Sequence, residues 1–298
     1  MGTSFVRGML NASRPKTFAE IVKISGLSHG TDVWLNNAED LVKGTSKFGQ
    51  VPFEKVIGCR DDIMVYLIQN GLESAKAFEI SEFIRKGKAA GQPEKWEEYK
   101  KVMRAEDIPE WYIWSAGQIK YMFPKAHATA YVIMALRIAW FKLYRPIYFY
   151  SAYFSKRARD FDLTAMLGGA YSIENRLDEI DEKGNKATDT EKRLYTVLEV
   201  AREMIKRGYY FERVHIMHSS ARDFTLTEDK QGLRMPFVAL DGLGYKVADS
   251  IVAARDEKLF SDREDVKKRT SVSNTVFNKL DALDAFGDLP DTPQMSLF

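Results

Sequence analysis

Apolar residues recur at helical spacing through most of residues 61–208, and this pattern constrains the fold more than any other feature of the chain. Proline and glycine divide the pattern into segments of ordinary helix length, so the chain is predicted to fold as a packed set of helices. The most apolar of these helices begins at Pro124 and ends before Pro146. The predicted helices in this region are one with its apolar face over 63–72, then 75–86, 94–103, one opened by Pro109, 124–144 and 192–207.

The pattern changes after Gly208. Residues 209–235 alternate and are rich in aromatic and β-branched types, which predicts two short strands, with strand-like alternation over 211–217. Short helices return over 236–289. The change of period indicates a domain boundary near Gly208, and the fold class is mainly α with a small β element. Two prolines and no periodicity predict an extended tail at 289–298.

The composition is that of an ordinary globular protein, with 298 residues, 45% of them hydrophobic, and a formal net charge of +2. The single cysteine, Cys59, excludes an internal disulfide and a cysteine-based zinc site, and it favours a reducing, cytoplasmic compartment. His215 and His218 are three residues apart, but the strand-like pattern around them argues against a metal site. The longest apolar region, 131–140, contains Arg137 and is too short to cross a bilayer.

A glycine hairpin precedes one of the C-terminal helices. Gly242 and Gly244 flank Leu243, and an apolar helix follows with Lys246 in its first turn. This pattern is typical of a helix-hairpin-helix motif, in which backbone N–H groups at a helix N-terminus bind a DNA phosphate without reading bases. A plain helical hairpin with a glycine turn is the alternative.

A second, degenerate copy of the motif is predicted at 265–283, without the paired glycines. Its turn contains Ser271 and Ser273, whose hydroxyl groups could bind phosphate. Two such units in tandem commonly form one compact domain that grips both strands of a duplex. A solvated basic turn explains the clustered positive charge equally well.

The start of the apolar helix after Pro124 is a candidate anion site. Proline favours the first helical position, which places Lys125 and His127 beside free backbone N–H groups and the positive end of the helix dipole. A triphosphate would fit this environment. The alternative is a buried helix with a capping histidine.

Two further segments are candidates for the same chemistry. Residues 25–31 contain two glycines and small polar side chains, which predict a break in the helix that starts near Thr17; an ordinary loop is the alternative. Asp61 and Asp62 point in different directions on a helix, so they favour a helix N-terminus and are not assigned a catalytic role. Arg60 could pair with phosphate or with one of these carboxylates.

The last five residues resemble a docking peptide. A glutamine, apolar residues and a terminal aromatic follow two prolines, which suits insertion of an extended tail into an apolar pocket. The residues concerned are Gln294, Met295, Ser296, Leu297 and Phe298.

Four blocks of the chain resemble one family, the PolC-type DNA polymerase III alpha subunits of the C family of replicative polymerases. The blocks are 14–22, 25–34, 56–68 and 123–131, and the similarity runs from about Phe5 to Phe298. The resemblance implies a polymerase fingers region at 1–208, a tandem helix-hairpin-helix domain at 209–288 and a clamp-binding tail at 289–298.

The resemblance also implies roles for individual residues. Lys125, His127 and Arg60 match residues that contact the triphosphate of the incoming dNTP, and Gly242 and Gly244 match hairpin glycines that lie on DNA. The loop that contains His29, Gly30 and Thr31 resembles the part that lines the nascent base pair. The final residues match the motif that binds the sliding clamp, the beta subunit, with Met295 in place of the commoner leucine.

The family's palm aspartates, which hold two Mg²⁺ ions, lie upstream of this segment and are absent from it. The resemblance therefore implies a DNA-directed DNA polymerase as the whole enzyme, whereas this chain alone is expected to be inactive. Its expected partners are primer–template DNA, dNTP, the clamp and the palm-containing remainder of the polymerase. The alternative is a stand-alone DNA- and clamp-binding module without a nucleotide role.

Overall fold

The computed structural model describes residues 3–292 of a chain that divides into two compact units, Met1–Ile138 and Ala139–Phe298. Each unit has its own hydrophobic core. Within the described residues there are fifteen α-helices and one three-stranded sheet, which confirms the prediction of a mainly α fold with a small β element.

The first unit is helical. Its core contains buried side chains from every helix up to residue 118, among them Leu27, Ile63 and Tyr112. The predictions for 75–86 and 94–103 are confirmed to within two residues, as α5 and α6. The helices are α1 (Ser4–Ser13), α2 (Phe18–His29), α3 (Glu39–Lys43), α4 (Arg60–Gln69), α5 (Ser74–Arg85), α6 (Pro93–Ala105), α7 (Glu110–Gln118) and α8 (Lys125–Tyr144), within which the division between the units falls.

Local capping explains where several of these helices begin. Thr17 and Glu20 form a capping box at the start of α2, in which each side chain bonds the other residue's backbone N–H. The Glu73 carboxylate accepts hydrogen bonds from the Ala75 and Lys76 amides at the start of α5. Pro93 occupies the first position of α6.

The helix break predicted over 25–31 occurs only near the end of that segment, because α2 continues through Gly26 to His29. Gly26 is buried, and a β-carbon there would overlap the Cys59 Sγ and the carbonyl oxygen of Gly58. The missing side chain thus allows α2 to lie against the segment that precedes α4. Gly30 is the C-cap of the helix.

Replacement of Gly26 by alanine is expected to lower the free energy of unfolding by about 1–3 kcal/mol, because the new methyl group has no space. Gly8 is the matched control, since it also lies inside a helix and an added β-carbon there would have no neighbouring atom within 4 Å. Gly8→Ala should stabilise the chain by about 0.5–1 kcal/mol. Urea denaturation measures both changes, and a Gly26→Ala variant as stable as the original would contradict the packing described.

The described residues of the second unit form seven further helices and a small sheet around one core, which extends from Ile147 to Phe286. Pro146, expected only to end α8, is also the first residue of a helix that was not predicted separately, α9. The elements are α9 (Pro146–Lys156), α10 (Leu163–Leu167), α11 (Gly169–Lys183), α12 (Asp189–Lys206), β1 (Tyr210–Glu212), β2 (Thr225–Leu226), β3 (Gly232–Arg234), α13 (Tyr245–Glu257), α14 (Arg263–Arg269) and α15 (Asn274–Ala282).

The sheet has the order β1–β3–β2, with β3 parallel to β1 and antiparallel to β2. The prediction of strand-like structure over 211–217 is largely wrong, because β1 ends at Glu212. Val214 and Ile216 are buried without belonging to a strand, and the Ile216 amide donates to the carbonyl of Ala285. Burial in the core, and not strand pairing, therefore accounts for those apolar positions.

The sequence-derived boundary at Gly208 lies inside the second unit, where one core includes residues on both sides of it. The division into 1–208, 209–288 and 289–298 stays a prediction. Within the described residues, no helix is both long enough and apolar enough to cross a membrane.

Candidate functional site

In the first unit, the loop after α2 lies against the segment that leads into α8. The Thr31 amide donates to the Tyr121 carbonyl at 2.8 Å, and the Lys120 amide donates to the Thr31 carbonyl at 3.1 Å. Gly30 makes this approach possible, because a β-carbon there would lie 2.8 Å from the Tyr121 carbonyl oxygen. Two candidate segments that lie far apart in the sequence are thereby brought together.

An aromatic cluster forms where these segments meet. The His127 ring stacks on Phe123, with centroids 4.6 Å apart, and lies 4.7 Å from the Tyr131 ring. His29 lies 5.5 Å from Tyr131 and 6.2 Å from His127. His29 Nδ1 donates to the Ser25 carbonyl at 2.6 Å, because a carbonyl can only accept. The cluster offers flat apolar faces beside the start of α8.

The N-terminus of α8 is bonded to a carboxylate of α4. The backbone N–H of Lys125 donates to Asp61 Oδ2 at 2.6 Å, while the Lys125 ammonium is exposed and lies 4.0 Å from Asp62 Oδ1. Ala126 and His127 follow, and helix geometry leaves their N–H groups without a partner inside the helix. The start of α8 therefore combines these N–H groups with an exposed ammonium, and Asp61 is bound at one edge.

Arg60 is held by two carboxylates. Its guanidinium donates to Asp61 Oδ1 at 2.9 Å and to Glu82 Oε1 at 3.3 Å, and its backbone N–H donates to the Phe123 carbonyl. The sequence left phosphate or a neighbouring carboxylate as possible partners of Arg60. In the structure Arg60 pairs with carboxylates, those of Asp61 and Glu82. Burial favours protonation of Asp61, but hydrogen bonds from the Lys125 amide and from Arg60 outweigh it and hold its pKa below the usual range.

Two residues of this site escaped the sequence analysis. Glu82 accepts hydrogen bonds from Arg85 as well as from Arg60. The bonds from Arg85 lower the pKa of Glu82 most, burial opposes them, and the bond from Arg60 adds to them, so that the pKa is about 2. Lys23 donates to the carbonyls of Glu54 and Val56, and burial lowers its pKa. The three-residue spacing of Glu82 and Arg85 predicts only an ordinary ion pair on one helix. No sequence pattern connects Glu82 or Lys23 to the site.

A small buried cluster fixes α2, α4 and α8 around the site. It consists of Val22, Cys59, Ala128 and Val132. Burial raises the pKa of the Cys59 thiol to about 12, so the side chain stays neutral and serves packing. The small side chain of Ala128 therefore allows α8 to pack closely against this cluster.

In the second unit, the glycine hairpin leads directly into α13. Gly242 has φ +84°, which favours glycine, and the amide of Leu243 donates to the Leu240 carbonyl. Gly244 is the N-cap of α13, with no atom within 4 Å of an added β-carbon, and Lys246 is exposed in the first turn. The helix before the hairpin is reduced to one 3₁₀ turn, Phe237–Ala239.

The second, degenerate hairpin copy predicted at 265–283 forms as α14, a turn and α15. Ser273 caps α15 by accepting a hydrogen bond from the Val276 amide, and the Ser271 amide donates to the Ser250 hydroxyl of α13. Lys279 of α15 donates to both the carbonyl and the carboxylate of Asp241 in the hairpin. The two helix-hairpin-helix copies are therefore connected by hydrogen bonds. The Ser273 hydroxyl is already used to cap α15.

Two remaining groups of residues complete the candidates. The His215 and His218 rings stack at 4.6 Å, and within residues 3–292 no three His, Cys, Asp or Glu side chains form a group that could hold a metal. Asp62 is committed to the amides of Gly58 and Cys59. The tail residues Gln294, Met295, Ser296, Leu297 and Phe298 lie outside the described residues.

Comparison with known proteins gives these sites a context. Residues 1–107 match the bacterial DNA polymerase III alpha subunit finger domain, and residues 208–294 match a helix-hairpin-helix motif. The chain therefore combines a polymerase finger region with a helix-hairpin-helix region.

The full length of the chain also matches curated relatives. It is 51% identical over 297 residues to the DNA polymerase III PolC-type of Pediococcus pentosaceus and to that of Halalkalibacterium halodurans, and 52% identical to that of Bacillus cereus. In each match the whole chain aligns with 20% of the relative, so it spans about a fifth of their length. The chain is thus homologous to the C-terminal part of PolC-type DNA polymerase III.

Proposed function

We propose that this chain acts as part of a replicative DNA polymerase, in which its first unit binds the triphosphate of the incoming dNTP and its hairpins grip the duplex. The observation that carries the proposal is the convergence of Arg60, Lys125, His127 and His29 around the N-terminus of α8. Homology over the full chain supports it.

The triphosphate has suitable partners at this site. Lys125 is exposed, and Arg60 offers a planar guanidinium beside free helix N–H groups, a combination that binds phosphate well. His127, in the first turn of α8, is the third proposed contact of the triphosphate, and the adjacent loop with His29, Gly30 and Thr31 would line the side on which the base lies. Arg60 must release at least one of its carboxylate partners to bind a phosphate.

The duplex contact is proposed for the hairpin that includes Gly242, Leu243, Gly244 and Lys246. Leu243 is buried and anchors the hairpin, while the exposed Gly244 allows a phosphate to reach the amides at the start of α13. In the second hairpin copy, Ser271 and Ser273 are the proposed contacts to a DNA phosphate. Because Ser273 caps α15, its contact with phosphate is limited to the remaining capacity of its hydroxyl.

Binding to a fluorescent primer–template tests the DNA contact, and addition of a palm-containing partner chain tests the polymerase role. We expect affinity that falls steeply between about 50 and 200 mM salt and does not depend on base sequence. Nucleotide incorporation is expected only with the partner chain. Failure of every palm-containing partner to restore incorporation would contradict the proposal.

The stand-alone DNA- and clamp-binding module remains the second candidate. It is favoured by one observation, the pairing of the Arg60 guanidinium with both Asp61 and Glu82. Photocrosslinking with a reactive dNTP distinguishes the two functions. Labelling around Lys125 and His127 supports the polymerase role, and labelling nowhere in the first unit supports the module.

Removal of Leu297 and Phe298 is expected to abolish binding to the sliding clamp, because these residues supply most of the apolar surface of the proposed docking peptide. Processivity should fall while single-turnover incorporation by the assembled polymerase is unchanged. A clamp pull-down compares the truncated and complete chains. Clamp binding that survives the truncation would place the contact elsewhere.

The proposal assigns the Mg²⁺ ions of the reaction to the palm, where they would activate the primer hydroxyl and steady the leaving pyrophosphate. Asp61 and Asp62 do not fit that role, because both are bonded to protein groups at helix starts. A replicative polymerase of this kind would act on DNA in the cytoplasm.

A further inference from the structure

Asp61 bonds two of the groups that the candidate triphosphate site would offer to a phosphate. One of its oxygens accepts from the Arg60 guanidinium at 2.9 Å, and the other accepts from the Lys125 backbone N–H at 2.6 Å. A carboxylate that bridges a guanidinium and a helix N-terminus makes the same two contacts as a bound phosphate oxygen pair.

The neighbouring carboxylate has a different role. Asp62 Oδ2 accepts from the amides of Gly58 and Cys59, at 3.0 and 3.1 Å, and so caps its own helix, α4. Asp61 instead extends from α4 to the start of α8. Capping of α4 therefore does not require Asp61, and its carboxylate serves the contact between the two helix starts.

Arg60 keeps a second anchor when Asp61 is removed from it. Glu82 accepts from Arg60 at 3.3 Å, and Arg85 holds Glu82 in place through two hydrogen bonds. The guanidinium therefore stays at the site if Asp61 turns away. Exchange of Asp61 for a phosphate would leave both Arg60 and the Lys125 amide with an anionic acceptor.

We propose that Asp61 is an internal competitor of the triphosphate, and that its carboxylate must leave Arg60 and the Lys125 amide before a nucleotide binds. This inference rests on the proposed function of the site. Asp61 lowers the affinity of the site for every phosphate ligand, and it keeps the charged groups paired while no nucleotide is bound.

Asp61→Asn separates the competing charge from the shape of the side chain. The amide oxygen of asparagine can still accept from the Lys125 N–H, so α8 keeps a cap, but its NH2 group cannot accept from Arg60. The negative charge that would compete with a phosphate is also removed. We expect the 298-residue chain carrying this change to bind a fluorescent dATP about tenfold more tightly, measured by anisotropy, while its thermal midpoint falls. Inorganic tripolyphosphate should displace the probe.

Asp160→Asn is the matched control. Asp160 is similarly exposed, at 22% against 26% for Asp61, and it also pairs with an arginine, Arg193, but in the second unit. Its dATP affinity should equal that of the original chain. A merely structural role of Asp61 would instead lower affinity and thermal midpoint together.

The outcomes separate this inference from the function on which it rests. If the original chain binds dATP, and Asp61→Asn binds equally or more weakly, Asp61 is not a competitor and the proposed site still stands. If neither folded variant binds dATP or tripolyphosphate, the proposed triphosphate site is wrong and the inference falls with it.

Discussion

Replacement of Lys125 by alanine in the assembled polymerase is expected to raise the KM for dNTP about 10- to 100-fold, because a charge-assisted contact worth about 1.5–3 kcal/mol is lost. Lys125 is exposed, and its ammonium lies 4.0 Å from Asp62, so little in the fold depends on its charge. Its backbone N–H, which bonds to Asp61, is retained by alanine. Steady-state incorporation measures the change.

Lys120→Ala is the control for this prediction. Lys120 is also exposed, lies in the same segment and pairs with Asp32 at 2.6 Å, away from the start of α8. Its removal should leave the KM for dNTP unchanged. An unchanged KM for Lys125→Ala would remove Lys125 from the proposed triphosphate site.

Gly244→Val is expected to lower the affinity for duplex DNA about tenfold or more, and to do so about equally for all sequences, because the new side chain would separate the amides of α13 from a phosphate. The chain itself has room for the substitution. Gly244 has φ −77°, and a β-carbon there has no neighbour within 4 Å. Anisotropy with several duplexes measures the affinity.

Gly242→Val provides the contrast within the same hairpin. Gly242 has φ +84°, so a β-branched residue there should cost about 1–2 kcal/mol of stability. The two variants thus separate loss of DNA binding from loss of folding. A Gly244→Val chain that binds duplex normally would show that the hairpin does not contact phosphate as proposed.

Where the sequence carried a local signal, it predicted structure well. Proline and periodicity located α5, α6, α8 and α12 to within three residues, and the paired glycines located the start of α13. The same local rules failed at Gly26 and at Val214–Met217. In both places the core decides: Gly26 allows contact with Cys59, and Ile216 is buried without strand pairing.

The individual residues of the candidate site could be identified from the sequence, but the hydrogen bonds that link them could not. Each of Lys125, His127 and Arg60 was found from its own motif, but their partners lie far away along the chain. Asp61 bonds the amide of a residue 64 positions later, and Glu82 bonds a guanidinium 22 positions earlier. Distances of this kind depend on helix packing, which single-sequence periodicity does not determine.

The buried cluster around Cys59 makes the stability of the site measurable without a ligand. Cys59 is the only cysteine of the chain and is fully buried where α2, α4 and α8 meet. A thiol reagent can therefore react with the native chain only when these helices separate, and its reaction rate reports how often they do so. Comparing the rate of the Cys59 reaction with and without dNTP would show whether a bound nucleotide slows the separation of these helices and so protects the thiol kinetically.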